Sequence, residues 1–144
     1  MSNIYSILAT FQEKIANPIT EDELNDTSNQ LVDEISANIG FRYKILEPIF
    51  ILIENNLAVD FGEENPIIKL IEAIDGYEVA LKQSLKRNAT QTTFTIYRRL
   101  LKTYISKAER LDALNELKNI TSESIKEDSL YDLLEEIIQE NLKK

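Results

Sequence analysis

Apolar residues in this chain recur at steps of three and four, as in Ile4, Ile7, Leu8, Phe11 and Ile15, and again in Leu24, Leu31, Val32, Ile35 and Ile39. That spacing follows the 3.6-residue turn of an α-helix and gathers each set on one buried stripe. Only three Gly and three Pro among 144 residues leave few of the turns that a β-rich fold needs. The sequence therefore predicts an all-α protein: about eight short helices in antiparallel pairs, stacked as an α-α superhelix of the HEAT type or as an irregular bundle. The length suits a single helical domain over residues 1–144 that needs no staples.

Local signals place the helix ends. Pro18 ends the first helix, and Thr20 with Glu23 forms a capping box that opens the second, which stops at Gly40. The run Ile45 to Leu57 is apolar on nearly all sides, which predicts a central helix from about Glu47 to Asn56 with Pro48 in its first turn and a separate short turn from Phe41. Asn65 before Pro66 reads as a cap followed by a first-turn proline, and Ile67, Ile68, Leu70, Ile71 and Ile74 supply the buried face of that helix, closed by Gly76.

The next helix runs from Tyr77 to about Arg87. Thr90 or Thr92 then caps a longer one carrying Phe94, Ile96, Tyr97, Leu100, Leu101 and Tyr104. Ser106 with Glu109 repeats the capping-box pattern ahead of Leu111, Leu114 and Leu117. After a joint at Thr121 to Ser124, a final helix presents Leu130, Leu133, Leu134, Ile137, Ile138 and Leu142, with Lys143 and Lys144 at its carboxyl end.

The chain has no Cys and no His. Disulfides and thiolate metal sites are thereby excluded, and the commonest general base and zinc ligand are missing as well. The expectation is a protein that is not an enzyme and has no metal or cofactor. The amino-terminal stretch lacks the basic residues and cleavage site of a secretory signal, and the longest apolar tract is broken by Glu47, Pro48 and Glu54, well short of the ~20 residues that span a membrane. These features point to the cytoplasm and away from a membrane.

Charge is unevenly spread. From Tyr77 to Lys118 nine bases face four acids, about +5 in a chain whose net charge is −9, so the rest carries about −14. A net-acidic chain with its bases spread over three helices is a poor ligand for nucleic acid, which needs a basic face. A cationic partner fits better, because an acidic surface steers it into fast association. The second helix carries Glu21, Asp22, Glu23, Asp26, Asp33 and Glu34 with no base among them. Those acids either form a solvated face that complements the helix dipole or belong to a surface for a basic protein. In the loop Asp60 to Glu64, Phe61 flanked by Asp60, Glu63 and Glu64 has the makings of an aromatic anchor with a charged rim, or else a ring tucked into the core.

The segment Ile45 to Thr103 also carries a composite pattern: Asp60, Phe61, Gly62 and Pro66; then Ile71 and Glu72; then Tyr77, Glu78, Leu81, Ser84 and Arg87; then Thr90, Thr93 and Arg99. It resembles the small all-helical immunity proteins of bacterial toxin–immunity loci, including those of contact-dependent growth inhibition. The chain departs from that pattern at Glu63, Glu64 and Asn65, where small residues and Gly are usual, and at Arg98 and Lys102, where Asn is usual. Such departures could change which toxin is recognised without changing the fold.

The resemblance implies a protein that binds and neutralises a cognate toxin domain, a basic nuclease of ribonuclease type, by occluding its active face. The expected contacts are Asp60, Phe61, Glu63 and Glu64 of the loop and Glu21, Asp22, Asp26 and Asp33 of the second helix. Gly62, Pro66, Glu72, Tyr77 and Arg99 are expected in structural roles, with Gly62 in a positive-φ turn and Glu72 within reach of Arg99. Two other classes stay open: a helical-repeat adaptor that docks through its basic block, and a carboxylate enzyme using Glu72, Asp75 and a divalent metal.

Overall fold

A computed structural model describes residues 3–16, 19–57 and 59–143. Pro18 and Lys144, expected to end the first helix and to sit at the end of the last, lie outside the described residues. Among those described there are eight α-helices, one 3-10 turn and no strand: α1 (Ile4–Ile15), α2 (Glu21–Asn38), the 3-10 turn Tyr43–Ile45, α3 (Leu46–Glu54), α4 (Pro66–Glu72), α5 (Tyr77–Arg87), α6 (Gln91–Leu101), α7 (Lys107–Thr121) and α8 (Asp128–Leu142). The all-α expectation holds. The helices form two compact units, Met1–Ala80 and Leu81–Lys144, with the division falling inside α5.

In the first unit, α1 packs on α2 and α3, and α2 packs on α4. Most of the predicted stripes are buried, Ile7, Leu8, Phe11 and Ile15 from α1 and Leu24, Leu31 and Ile35 from α2, whereas Ile4, Val32 and Ile39 are only partly covered. Ser28 sits in the buried α2 stripe with no exposure. Its position is one helical step from Leu24 and from Leu31, so the stripe itself carries it inward. α3 is covered on most sides, with Leu46, Ile49, Phe50 and Ile53 at 0–1% exposure, while Glu47 and Ile51 face outward. It starts and stops one or two residues earlier than the sequence suggested, after the separate short turn that Phe41 announced, and Pro48 lies in its first turn.

Two polar links fix this unit. The Gln12 and Asn56 amides bond each other reciprocally, Nε2 to Oδ1 at 2.9 Å and Nδ2 to Oε1 at 2.6 Å, tying α1 to the end of α3. Asn65 is the predicted cap of α4: its Oδ1 accepts from the Ile67 amide at 2.8 Å. Its Nδ2 donates to Ser28 Oγ at 3.1 Å, joining α4 to α2 through two buried side chains.

In the second unit α6 and α7 each pack on α8. Thr90 caps α6 in a box with Thr93, each hydroxyl accepting the other's backbone N–H at 3.0 Å. α6 ends at Leu101, so Tyr104 lies beyond it in the link to α7. Gly is absent there, and the last turn closes instead on i→i+3 bonds from Lys102, Thr103 and Tyr104. At α7 only half of the expected box forms: Ser106 accepts from the Glu109 amide at 3.4 Å. The face of α8 is narrower than its sequence suggested, because Leu142 is 45% exposed while Asn141 is buried and donates to the Ile137 carbonyl at 2.8 Å. Ser124, in the joint before α8, donates to the Leu85 carbonyl at 2.5 Å and so anchors that joint to α5.

Tyr97 connects α6 to α7 by donating its hydroxyl to the Ala113 carbonyl at 2.7 Å, with its side chain 1% exposed. Burial, with Glu116 and Tyr104 nearby, pushes its pKa well above the ordinary value of 10.0.

Two outcomes test these links. Asn65→Ala removes a cap and strands a buried hydroxyl, so urea unfolding should show a loss of about 2–4 kcal/mol; a loss below about 0.5 would mean the pair is incidental. The folded state holds the Tyr97 proton where an unfolded phenol, pKa ~10, has released it. That contribution is therefore intact below about pH 10 and is lost as pH rises beyond it. Tyr97→Phe should cost about 1–2 kcal/mol near neutrality, and the gap to the parent should narrow on moving from about pH 8 to about pH 10.5.

A candidate acidic interface

The division into two units sharpens the charge distribution. Residues 1–80 hold fifteen acids and four bases, a net of −11, whereas residues 81–144 hold ten acids and twelve bases, a net of +2. The acidity therefore belongs to the first unit, and in the second the charges are largely set against each other. Arg98 donates to Glu136 at 3.2 Å and also to Glu140, and these carboxylates raise its pKa above the usual guanidinium value. Lys82 meets Glu116 at 2.6 Å, and Arg110 donates to the carbonyls of Tyr104 and Ile105 at 3.0 and 2.9 Å. Lys82, Arg98 and Arg110 of the block are thus engaged within their own unit.

The acids of α2 behave differently. Glu21, Asp22, Asp26 and Asp33 are exposed, and their carboxylates make no hydrogen bond or ion pair among the described residues. Glu23 is the exception on that helix, since its carboxylate closes the capping box on Thr20.

The loop before α4 is a tight turn. Asp60 Oδ1 accepts from the Gly62 amide at 3.1 Å, and the Asn65 amide reaches back to the Gly62 carbonyl at 3.3 Å. Gly62 takes the positive φ of +77° that its place in the turn predicted. Glu63 and Glu64 stand at the exposed apex. Glu64 pairs with Lys69 at 3.4 Å, but both side chains are largely in water, where such a pair contributes little. Phe61 is 4% exposed. Its ring belongs to the core and is withdrawn from the surface contact proposed for it; Asp60 and Glu63 on either side remain outside.

Of the residues expected in structural roles, Pro66 is the first residue of α4, as predicted. Glu72, Tyr77 and Arg99 are half-buried, and none of the three is free. Two departures from the immunity-protein pattern also have internal work: Asn65 caps α4 and holds Ser28, and Arg98 engages α8. Among the described residues no three Asp or Glu side chains come together as metal ligands would, and no helix is long and apolar enough to cross a membrane.

Two grooves adjoin these acids. One, of about 630 Å³, lies among the end of α1, the start of α2 and the 59–62 strand of chain, and it brings Glu21 to the same site as Asp60. The other, of about 480 Å³, runs between α2 and α4, with Val32, Phe41, Pro66, Leu70 and Ala73 as apolar lining and Asn25, Asn29, Glu64 and Lys69 as polar lining. The second was not foreseen. Its signal was there, in Asn25, Asn29 and Val32, which share a helical face distinct from both the buried stripe and the acids.

No family model, curated protein or solved structure matches the chain.

Loop and helix should separate cleanly in unfolding measurements. Glu63→Lys should leave stability within about 0.5 kcal/mol of the parent, as for exposed sites generally. Phe61→Ala should cost about 3–4 kcal/mol, as for a ring removed from a packed core. Near-equal values would return Phe61 to the surface.

Proposed function

We propose that this chain is an immunity protein. It binds a cognate bacterial toxin domain, a basic nuclease of ribonuclease type, and neutralises it by lying over its active face. It acts without catalysis and without a cofactor. The reading draws on the sequence resemblance over Ile45 to Thr103. The observation that carries it is that the exposed carboxylates of Glu21, Asp22, Asp26 and Asp33 on α2, and of Glu63 in the α4 turn, meet no cation among the described residues, in a unit of net charge −11. Maintaining like charges on one face without partners costs stability through repulsion, so such a face is better explained by an external cation than by the fold.

Occlusion asks little of the protein chemically. A nuclease cleft is basic because it must hold phosphates, and a carboxylate-bearing surface competes for the same cations by the same electrostatics. Asp22, Asp26 and Asp33 project from a helix and Glu63 and Glu64 from a turn pinned by Asn65, so their arrangement is set before binding. Preorganisation of that kind reduces the ordering cost of association.

A helical adaptor is the second reading, and the apolar groove between α2 and α4 is the feature that favours it. The two readings part at the toxin. With the nuclease domain encoded beside this gene, the immunity reading expects co-purification and loss of ribonuclease activity. The association rate should fall at least tenfold or so between about 50 mM and about 500 mM salt. The double variant Glu63→Lys with Glu64→Lys should slow association further. An absence of complex removes the reading; a tight complex indifferent to both salt and these substitutions removes the acidic face from it.

A further inference from the structure

We infer that the groove between α2 and α4 receives an apolar anchor residue of the partner flanked by Lys or Arg; this rests on the immunity reading and adds the partner chemistry that reading lacks. The groove holds about 480 Å³, within the range of sites that enclose ligands, ~300–1,000 Å³. Phe41 lines it while 48% exposed, together with the partly covered Val32 and the buried Leu70. An aromatic left half in water beside aliphatic lining gains by being covered, at ~25 cal/mol for each Å² removed from water.

The charge on the lips selects what can cover it. At 100° per residue, Asp22, Asp26 and Asp33 fall on a stripe of α2 offset by roughly 75° toward solvent from the groove face of Asn25, Asn29 and Val32. Those three carboxylates therefore run along one lip. Glu64 stands on the opposite side, next to Glu63. The lining contains one cation, Lys69, already paired with Glu64 at 3.4 Å.

An anchor that enters here brings its neighbours within reach of carboxylates on both sides. Basic neighbours are attracted and acidic ones repelled. The occupant this selects is a protruding segment of a cationic protein, with its apolar side chain in the groove and its cations on the lips. The polar rim then excludes water from an apolar centre, the arrangement in which a contact is worth most.

The test uses the full chain and the neighbouring toxin domain. Ala73→Arg and Asn29→Arg each place a long cationic side chain in the groove from an exposed position, so the fold is kept, as a thermal melt would verify. Each should weaken the complex by about 30-fold or more, chiefly through faster dissociation. Glu127→Lys, an exposed and larger charge change in the second unit, should alter it by less than about threefold. If the toxin binds both groove variants as tightly as the parent, the groove assignment is overturned while the immunity reading stands. If the parent itself fails to bind, both are overturned together.

Discussion

The hydrogen bond from Asn65 to Ser28 determines where the acids of this protein stand. Both residues are buried, at 1% and 0% exposure, and Asn65 spends its carbonyl on the first turn of α4 while its amide group holds α2. A buried polar group left without a partner costs more than a formed bond gains, so a sliding of α2 against α4 by even one turn would be penalised twice. The buried apolar residues of the two packed helices, Leu24 and Leu31 of α2 and Ile67 and Ile71 of α4, give most of the energy but tolerate small shifts. The amide does not. Its bond sets the register that carries Asp22, Asp26 and Asp33 alongside Glu63 and Glu64.

The same contrast between packing and polar specification explains what could be seen in advance. Helix number and type were legible because the buried stripes follow a single period, and caps such as Thr20, Asn65 and Thr90 bond locally, within three residues. Gly62 was legible for the same reason, since its turn closes on Asp60 and Asn65. The limits of α3 and α6 were less so. Asn55, Asn56 and Tyr104 can all continue a helix by propensity, and whether they do is decided by bonds such as Gln12 to Asn56 that cross the chain by 44 residues. At the site, the exposed acids could be read from composition. Phe61 could not be placed, because an aromatic between carboxylates fits a rim or a core equally well until the loop's path is known. The groove beside Phe41 left only a partial trace, the shared face of Asn25, Asn29 and Val32 on α2, and its other wall required α4 to meet that face.

Charge pairing follows the division of the chain. In the second unit Arg98 is surrounded by Glu136 and Glu140, and Lys82 by Glu116, so the bases that looked like a docking block on paper serve partly as internal ties. These are partly exposed pairs, and their net contribution to stability is small. Their consequence is for recognition: a base held by two carboxylates has less to offer an acidic ligand. The first unit has four bases for fifteen acids and cannot balance itself in this way. Its surplus remains available to whatever approaches.

The rigid placement of that surplus matters as much as its amount. Long-range attraction needs only net charge, and a flexible acidic tail would supply it. Selecting one basic protein from many requires carboxylates at fixed separations, because the cost of a misplaced or unpaired charge is what rejects the wrong partner. Here Phe61, buried below the turn, and Asn65, capping the helix after it, hold the residues between them from both ends. Glu63 and Glu64 therefore gain their precision from neighbours that are themselves unavailable to a partner. Burial of the ring removes one contact from the surface and, by fixing the turn, makes the adjacent ones more selective.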